Sequence, residues 1–406
     1  MIKKAIIKYK NIFNEIIGKH WPDFKKKHPS YDTPQYNEPI EKSLNCGMEE
    51  WGYTEYRCID CGLEAKKIPF SCKSGFCLTC SKVYVDNVVA QVSKILHPGV
   101  KYRHIVLTLP EQLRKYFYQN RHEGKLLSMF MQAGYECLEN VLSVMLRQEV
   151  KIGCIVVVQT HGRNGSYNPH LHVIMSSGGI NSKRNTWKDL NWLNYNLLHK
   201  KWQYYLLKLM KEWDNSIEMK IMIDDLYKKY PKGFVTNVSK GAAPKKAKGL
   251  ARYLAKYVAS PPISVRRIIK YDGEKVSYKY TDHKTGKEQE ETVTAEIFVG
   301  RMVQHILPKG FQRIRYYGLQ ATKTYEKWRK VIEGITREAK KDIDGAYEVV
   351  KEKKYRERYK EGCGKDPLKC PNCGAEMVMW KIWHPKYGLI YDEEKRIRRG
   401  EYAHYA

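Results

Sequence analysis

The chain reads as an α+β protein, with an antiparallel sheet at its centre, helices around it and a cysteine-rich module in front. Three observations predict this. The apolar run 152–160 and the alternating run that starts at His170 flank a turn-rich loop, which is the pattern of a hairpin. A second pair of strand-like runs, 275–281 and 290–294, flanks the turn 282–286. Six of the cysteines crowd into residues 46–80, and long helix-patterned stretches fill the space between the strands.

The elements follow in order. Residues 1–42 read as a basic helix and then a polar, proline-spotted linker. Residues 43–85 form the cysteine module, and 83–95 read as a helix. Residues 103–110 read as a strand ended by Pro110, and 111–147 as one long helix with apolar residues at spacings of three and four. The strand 152–160, the loop 161–169 and the strand from His170 to the glycines Gly178 and Gly179 complete the hairpin, and helices cover about 187–213. A basic, glycine-punctuated stretch, 240–249, leads into the helix-like 251–257, stopped by Pro261 and Pro262. Strands at 263–271 and 275–281 with a returning 290–294, a helix at 295–306, a strand at 311–317 and a charged helix at 325–359 precede a last CxxC. The expected division is 1–42, 43–85, a central domain 86–325 and a helical C-terminal region 326–406.

Lysine and arginine outnumber the acids by 73 to 44 among 406 residues, a net charge of +29. Such a surplus fits a polyanion, and nucleic acid above all. The 31 tyrosines and 9 tryptophans often sit among cations, as in 201–205 and 313–317, which suits stacking on exposed bases of a single strand. No long apolar stretch predicts a membrane span, and no GxxxxGK[ST] loop predicts nucleotide hydrolysis. The apolar runs at the N-terminus are broken by lysines and no cleavage site follows, so a cytoplasmic protein is expected.

Cys58-Ile-Asp-Cys61 and Cys77-Leu-Thr-Cys80 are two CxxC knuckles with the spacing of one tetrahedral zinc site. Cys46 and Cys72 either contribute to a second zinc or pack in the core. Cys370 and Cys373 form another knuckle half whose partners are open, with Cys363, His384 and His404 as candidates. Cys137 and Cys154 stand alone and read as small core residues.

His170 and His172 flank one apolar residue in a strand, so both imidazoles point to one face and can converge on a divalent metal. Gln159, near the end of the partner strand, is the favoured third ligand, with His161 on the same face as the alternative. The mixed imidazole and amide set suits Mg2+ or Mn2+. Tyr253 and Tyr257 lie four apart in a helix-like segment and share one face. A phenol is a weak nucleophile, with a pKa of about 10. Metal-neutralised phosphate oxygens would allow it to attack a phosphodiester. Lys256 lies between the tyrosines on a different face and could touch DNA phosphate.

The order of motifs resembles the rolling-circle transposases of insertion sequences that carry an HUH nuclease domain with two tyrosines behind a zinc-binding domain. The likeness runs from Cys46 to Lys327. It comprises Ser71-Cys72-Lys73-Ser74-Gly75-Phe76-Cys77-Leu78-Thr79-Cys80, then Leu107-Thr108-Leu109-Pro110, then Asn168-Pro169-His170-Leu171-His172 with Gly178-Gly179. Tyr253-Leu254-Ala255-Lys256-Tyr257 with Pro261-Pro262 follows, and then the long block 305–318, His-Ile-Leu-Pro-Lys-Gly-Phe-Gln-Arg-Ile-Arg-Tyr-Tyr-Gly. The resemblance implies that 86–325 is an HUH nuclease core of antiparallel sheet and flanking helices. It implies that Tyr253 or Tyr257 cleaves single-stranded DNA at transposon ends, leaving a 5′-phosphotyrosine and a free 3′-hydroxyl for transfer to target DNA. His170 and His172 carry over as metal ligands. Histidine is usual in the family where Gln159 stands, and glutamine serves this role in other HUH enzymes. Lys309, Arg313 and Arg315 of the long block are the expected DNA contacts, and a bacterial, nucleoid-associated protein is implied. A replication initiator or relaxase would share the histidines and tyrosines but not the zinc segment, and a non-catalytic zinc-ribbon DNA-binding protein would lack cleavage.

Overall fold

Side-chain alternation along two adjacent strands decides the centre of the molecule. In the computed structural model, which describes residues 11–181, 183–238, 249, 262–282, 285–338 and 350–401, the chain runs α1 (Ile12–Lys27), α2 (Pro34–Leu44), β1 (Tyr53–Arg57), β2 (Ala65–Pro69), α3 (Ser81–Ile95), β3 (Tyr102–Thr108), α4 (Glu111–Gln119) and α5 (Lys125–Leu146). It continues through β4 (Gly153–His161), β5 (Tyr167–Ser176), β6 (Gly178–Asn181), β7 (Thr186–Asp189), α6 (Tyr195–Trp213), α7 (Ile217–Lys229) and β8 (Thr236–Val238). Next come β9 (Ile268–Tyr271), β10 (Lys275–Thr281), β11 (Glu288–Thr294), α8 (Ala295–Val303), β12 (Ile314–Gly318) and α9 (Tyr325–Glu338). The last elements are α10 (Tyr355–Cys363), β13 (Val378–His384), β14 (Gly388–Asp392) and α11 (Glu393–Arg398). The fold is α+β.

The central sheet has the order β12-β4-β5-β3-β8, and every neighbouring pair is antiparallel. Val156 and Val158 of β4, Leu171 and Val173 of β5, and Ile105 and Leu107 of β3 project to one face. Leu127, Phe130 and Leu138 of α5 and Trp202 and Leu206 of α6 cover that face. On the opposite face Ile155, Val157 and Ile174 pack against Val88, Val89, Val92 and Leu96 on and just beyond α3. A sheet covered on both sides carries apolar residues at successive positions, and this is why 152–158 reads as one unbroken apolar run.

A second core joins α1, α2, α8 and the three-stranded sheet β11-β10-β9 through Phe13, Ile16, Tyr36, Tyr278 and Phe298. Among the described residues no helix is long and apolar enough to cross a membrane.

Four sequence expectations change. The proline-spotted linker contains α2: Pro34 sits in the first turn, where its preset φ suits a helix, and buried Tyr36 and Ile40 outweigh the bond lost at Pro39. The single helix over 111–147 breaks at Gly124, in the left-handed conformation at φ +69°, so α4 and α5 are separate. The His170 strand ends at Ser176, within the expected 176–179, but Gly178 and Gly179 open a further strand, β6, paired with β7, where a Cβ on Gly178 would lie 2.4 Å from the Lys188 carbonyl oxygen. The helix expected from 187 therefore starts at Tyr195. Finally, the C-terminal region expected to be helical supplies β13 and β14 to a sheet ordered β14-β13-β1-β2, shared with the cysteine module.

Gly134 lets α5 close on β5: a Cβ there would lie 2.6 Å from Leu171 Cδ1. Gly134→Val is expected to cost about 1–3 kcal/mol through overpacking, read as a lowered midpoint in urea unfolding with an unchanged slope.

Candidate metal centres

The face of the sheet covered by α3 turns polar toward the β4–β5 loop. One row of partners reads Gln159, His170, Thr108 across β4, β5 and β3, and the next reads Val157, His172, Val106. Partners in a row share a face, so Gln159, His170 and His172 come together as the alternation requires. Past Gln159 the register shifts: His161 pairs with Tyr167, so Asn168 and Pro169 oppose Thr160 alone. Pro169 has no N–H for the ladder, and a bulge is where a strand tolerates it. β4 thus continues through His161, one residue beyond the expected strand end.

The side chains hold each other in defined roles. His170 Nδ1 donates to the Asn168 carbonyl at 2.8 Å, which leaves its Nε2 lone pair facing outward from that bond. His172 Nε2 lies 3.0 Å from Gln159 Oε1, and the His170 and His172 rings are 4.9 Å apart. Two ligands at about 2.1 Å from one octahedral ion, at right angles, stand about 3.0 Å apart, so the His172 and Gln159 donors fit a Mg2+ or Mn2+ ion. An amide nitrogen can only donate, so Gln159 Nε2 gives its proton to His161 Nε2 at 3.1 Å. This fixes the Gln159 oxygen toward His172 and engages the rival donor. His161 therefore orients the glutamine.

His104 was read from sequence only as part of a strand. It projects from β3 onto the same face, and its Nε2 lies 3.0 Å from His172 Nδ1, with the rings stacked at 12°. Burial lowers its pKa to about 4, so it is neutral at physiological pH. A neutral imidazole can donate through one nitrogen and accept through the other. His104 can thus follow His172 when that ring exchanges its Nε2 proton for a metal. Burial also lowers His170, and lowers His172 further, with the neighbouring histidines adding to the effect. The signal in the sequence is the period of two in 102–108, which puts His104 on the face of Tyr102.

The β4–β5 loop is braced from the second core. His305 Nε2 donates to the Gly165 carbonyl at 3.0 Å while its Nδ1 accepts from Thr160 Oγ1 at 3.1 Å. Tyr278 Oη donates to the Asn164 carbonyl at 3.1 Å. Burial, followed by His161, lowers His305 to about 3. The long block 305–318 is thereby explained: His305 braces the loop and Ile314–Gly318 forms β12 beside β4.

Of the expected DNA contacts, Arg315 lies on the α5 face, opposite the histidines, where its Nη2 donates to Ser128 Oγ at 2.6 Å. Arg313 lies close enough to His305 to depress its pKa further. Lys309 is exposed and paired with Glu38 at 3.2 Å. Tyr253, Lys256 and Tyr257 lie outside the described residues.

The cysteines form two sets, and the expected pairing of Cys58 and Cys61 with Cys77 and Cys80 is not found. Cys46, Cys72, Cys77 and Cys80 make one set, with Cys46 and Cys80 sulfurs 3.4 Å apart. Cys58, Cys61, Cys370 and Cys373 make the other, at 3.5 Å for Cys58–Cys373 and 3.7 Å for Cys61–Cys370. The β1–β2 pairing separates the knuckles: Cys58 caps the far end of β1, while Cys72 follows the return along β2. Sulfurs about 2.3 Å from a tetrahedral zinc stand about 3.8 Å apart, close to these spacings. Backbone N–H groups of Cys72 and Ser74 point at the Cys46 and Cys72 sulfurs at 3.4 Å. The Leu63 N–H, followed by Asn372, holds the Cys61 thiol down at about 6. Cys363 is exposed and belongs to neither set, and buried Cys137 and Cys154 are core residues as expected.

Residues 153–327 match the family Y2_Tnp, described as "Putative transposase", and residues 16–109 match Zn_Tnp_IS91, described as "Transposase zinc-binding domain". Similar proteins include the "Transposase for insertion sequence element IS801" of Pseudomonas savastanoi pv. phaseolicola, 26% identical over 84% of this chain and 82% of that protein. Another is "Putative transposase y4qJ" of Sinorhizobium fredii, 23% identical over 91% of this chain and 94% of that protein. No solved structure matches the chain. The two matched regions cover the first cysteine set and the histidine sheet in the order found here, the arrangement of a nucleic-acid-processing enzyme of the transposase class. The chain belongs to the IS91 family of insertion-sequence transposases, and its cysteine module is structural and zinc-binding.

Two outcomes test the histidine face. His104→Phe is expected to weaken Mn2+ binding by about 10–100-fold, measured by calorimetry, with the circular dichroism spectrum unchanged. For stability, His104 and His305 titrate below their unfolded value of 6.5. Above pH 6.5 their contribution is fully present. Below it the unfolded chain takes up protons that the folded chain refuses, so stability falls, by up to about 1.4 kcal/mol per pH unit for each histidine. The thermal midpoint should drop between pH 6.5 and 5, and drop less steeply in His305→Asn.

Proposed function

We propose that the protein nicks and rejoins single-stranded DNA at the ends of its insertion sequence through a 5′-phosphotyrosine intermediate, and so drives rolling-circle transposition. The observation that carries this reading is the convergence of His170, His172 and Gln159 on one polar patch of a sheet. The net charge of +29 supplies the attraction for a DNA backbone. DNA, including transposon ends and the target, is the partner.

A Mg2+ or Mn2+ ion bound by His170, His172 and Gln159 would neutralise the non-bridging oxygens of the scissile phosphate. The chain's own groups do the rest. His104 orients His172, and His161 fixes the Gln159 amide. The phenol oxygen of Tyr253 or Tyr257 bonds to phosphorus as the bond to the 3′ oxygen breaks. The phenol loses one proton and the 3′ oxygen gains one, so the step balances and can run in reverse at the target. Chain connectivity supports the tyrosines' part. Asn237 on β8 stands in the row of Val106 and His172, two strands or about 10 Å from His172. Tyr253 follows fifteen residues after Val238, a span of up to about 50 Å when extended. Lys256 and Lys309 are the proposed phosphate contacts, and Arg313 a further one beside the loop.

End-labelled single strands carrying the element's own ends, incubated with Mn2+ or Mg2+, should give a covalent, protease-sensitive adduct and a fragment with a free 3′-hydroxyl. His170→Ala with His172→Ala should lower adduct formation by about 100-fold or more, and Gln159→Ala should cost more than His161→Ala. Adduct persisting when Tyr253→Phe and Tyr257→Phe are combined would rule out these nucleophiles.

A further inference from the structure

Cys58-Ile-Asp-Cys61-Gly62 and Cys370-Pro-Asn-Cys373-Gly374 are two copies of one local design. Each places a glycine at positive φ, +69° for Gly62 and +77° for Gly374, just after its second cysteine. Each is closed by backbone bonds: Cys58 N–H donates to the Glu64 carbonyl at 3.0 Å, and Cys370 N–H to the Ala375 carbonyl at 2.8 Å. A left-handed residue at this point turns the chain so that two sulfurs face one centre, and glycine adopts it without strain. The knuckles meet because β1 and β13 pair along their length, from Tyr53 opposite Trp383 to Arg57 opposite Val378, and each knuckle adjoins the same end of that pair.

The approach is fixed by further contacts. Arg356 of α10 forks onto Asp366 at 2.8 Å and reaches Glu376, clamping both sides of the second knuckle. Lys66 of β2 donates to the Pro367 carbonyl at 3.1 Å. Tyr56, Ala375 and buried Met377 pack around the sulfurs. The region matching the zinc-binding family ends at residue 109 and the transposase match at 327, so Cys370 and Cys373 fall outside both.

We propose that Cys58, Cys61, Cys370 and Cys373 bind a second zinc ion that clasps the two ends of the chain, making the histidine-bearing domain an insertion within a single zinc-ribbon domain. The clasp bridges 309 residues between Cys61 and Cys370. The first set, Cys46 to Cys80, is local and needs no C-terminal residue. A cross-link that closes so long a loop restricts the unfolded chain more than a local one does, by an amount that grows only as the logarithm of loop length. Loss of this ion therefore releases the β13–β14 hairpin and exposes the edge of β1. The proposal stands independently of the nuclease chemistry.

Zinc in the full-length protein, counted by native mass spectrometry, should be two per chain. Cys370→Ser with Cys373→Ser should remove one, Cys58→Ser with Cys61→Ser should remove the same one, and all four together should still leave one. A second readout uses the unmutated protein: chelator and iodoacetamide are added, and alkylation is followed by peptide mass spectrometry. Exposed Cys363 should react at once. Cys58, Cys61, Cys370 and Cys373 should then react with one common rate, distinct from that of Cys46, Cys72, Cys77 and Cys80. The clasp is refuted if Cys370 and Cys373 react as fast as Cys363, if Cys58 and Cys61 follow Cys77 and Cys80, or if the combined variant loses both ions.

Discussion

The register of β4 against β5 is the constraint on which the rest of the structure depends. Gln159 opposite His170 and Val157 opposite His172 put every donor on one face and Val156, Val158, Leu171 and Val173 on the other. A slip of one residue would turn the imidazoles into the α5–α6 core and the aliphatic side chains onto the polar patch and α3. The burial of Leu171 and Val173 against α5 therefore holds the geometry of the proposed metal ligands, although neither touches them. The bulge at Thr160 absorbs Asn168 and Pro169, and the same bulge supplies the carbonyl that fixes the His170 tautomer.

The two halves of the molecule meet at that loop. His305 and Tyr278 belong to the second core yet bond to the turn between the two strands. The histidines of this face and its brace bond to carbonyls, an amide, a hydroxyl and each other. In a chain of net charge +29, burial keeps His104, His170, His172 and His305 neutral, with neighbouring histidines adding to the effect at His172 and His305. Neutral imidazole is the form that binds a cation, so the environment that excludes protons is the one the proposed metal site requires.

Much of the centre was legible in the sequence because its signals are local. The period of two fixes the shared face of His170 and His172, and the apolar run 152–158 marks a strand buried on both sides. The place of Gln159 in the hairpin puts its side chain beside His172. His104 was missed because its importance depends on which strand lies next to β5, a pairing 68 residues distant in sequence. The cysteines illustrate the same limit. Each CxxC declares itself by spacing, but which knuckle faces which is decided by strand order, and β13 is chosen as the neighbour of β1 across most of the chain. The β6–β7 hairpin escaped notice because its glycines signal a turn as readily as a close approach between strands. Arg315 reads as a free cation in sequence, whereas strand parity sends it to the opposite face.

The placement of β1 between β2 and β13 has a consequence for biosynthesis. During translation the β1–β2 hairpin emerges early, but its second neighbour is encoded some 309 residues later. At about 5–20 residues per second, that edge waits about 15–60 s for its partner. Throughout that interval the nascent chain carries an open strand edge and two thiols without their counterparts, while the histidine sheet is already free to form. The domain that opens the polypeptide is thus among the last to be finished, and a ribosome that stops short of Cys370 leaves the sheet without its third and fourth strands.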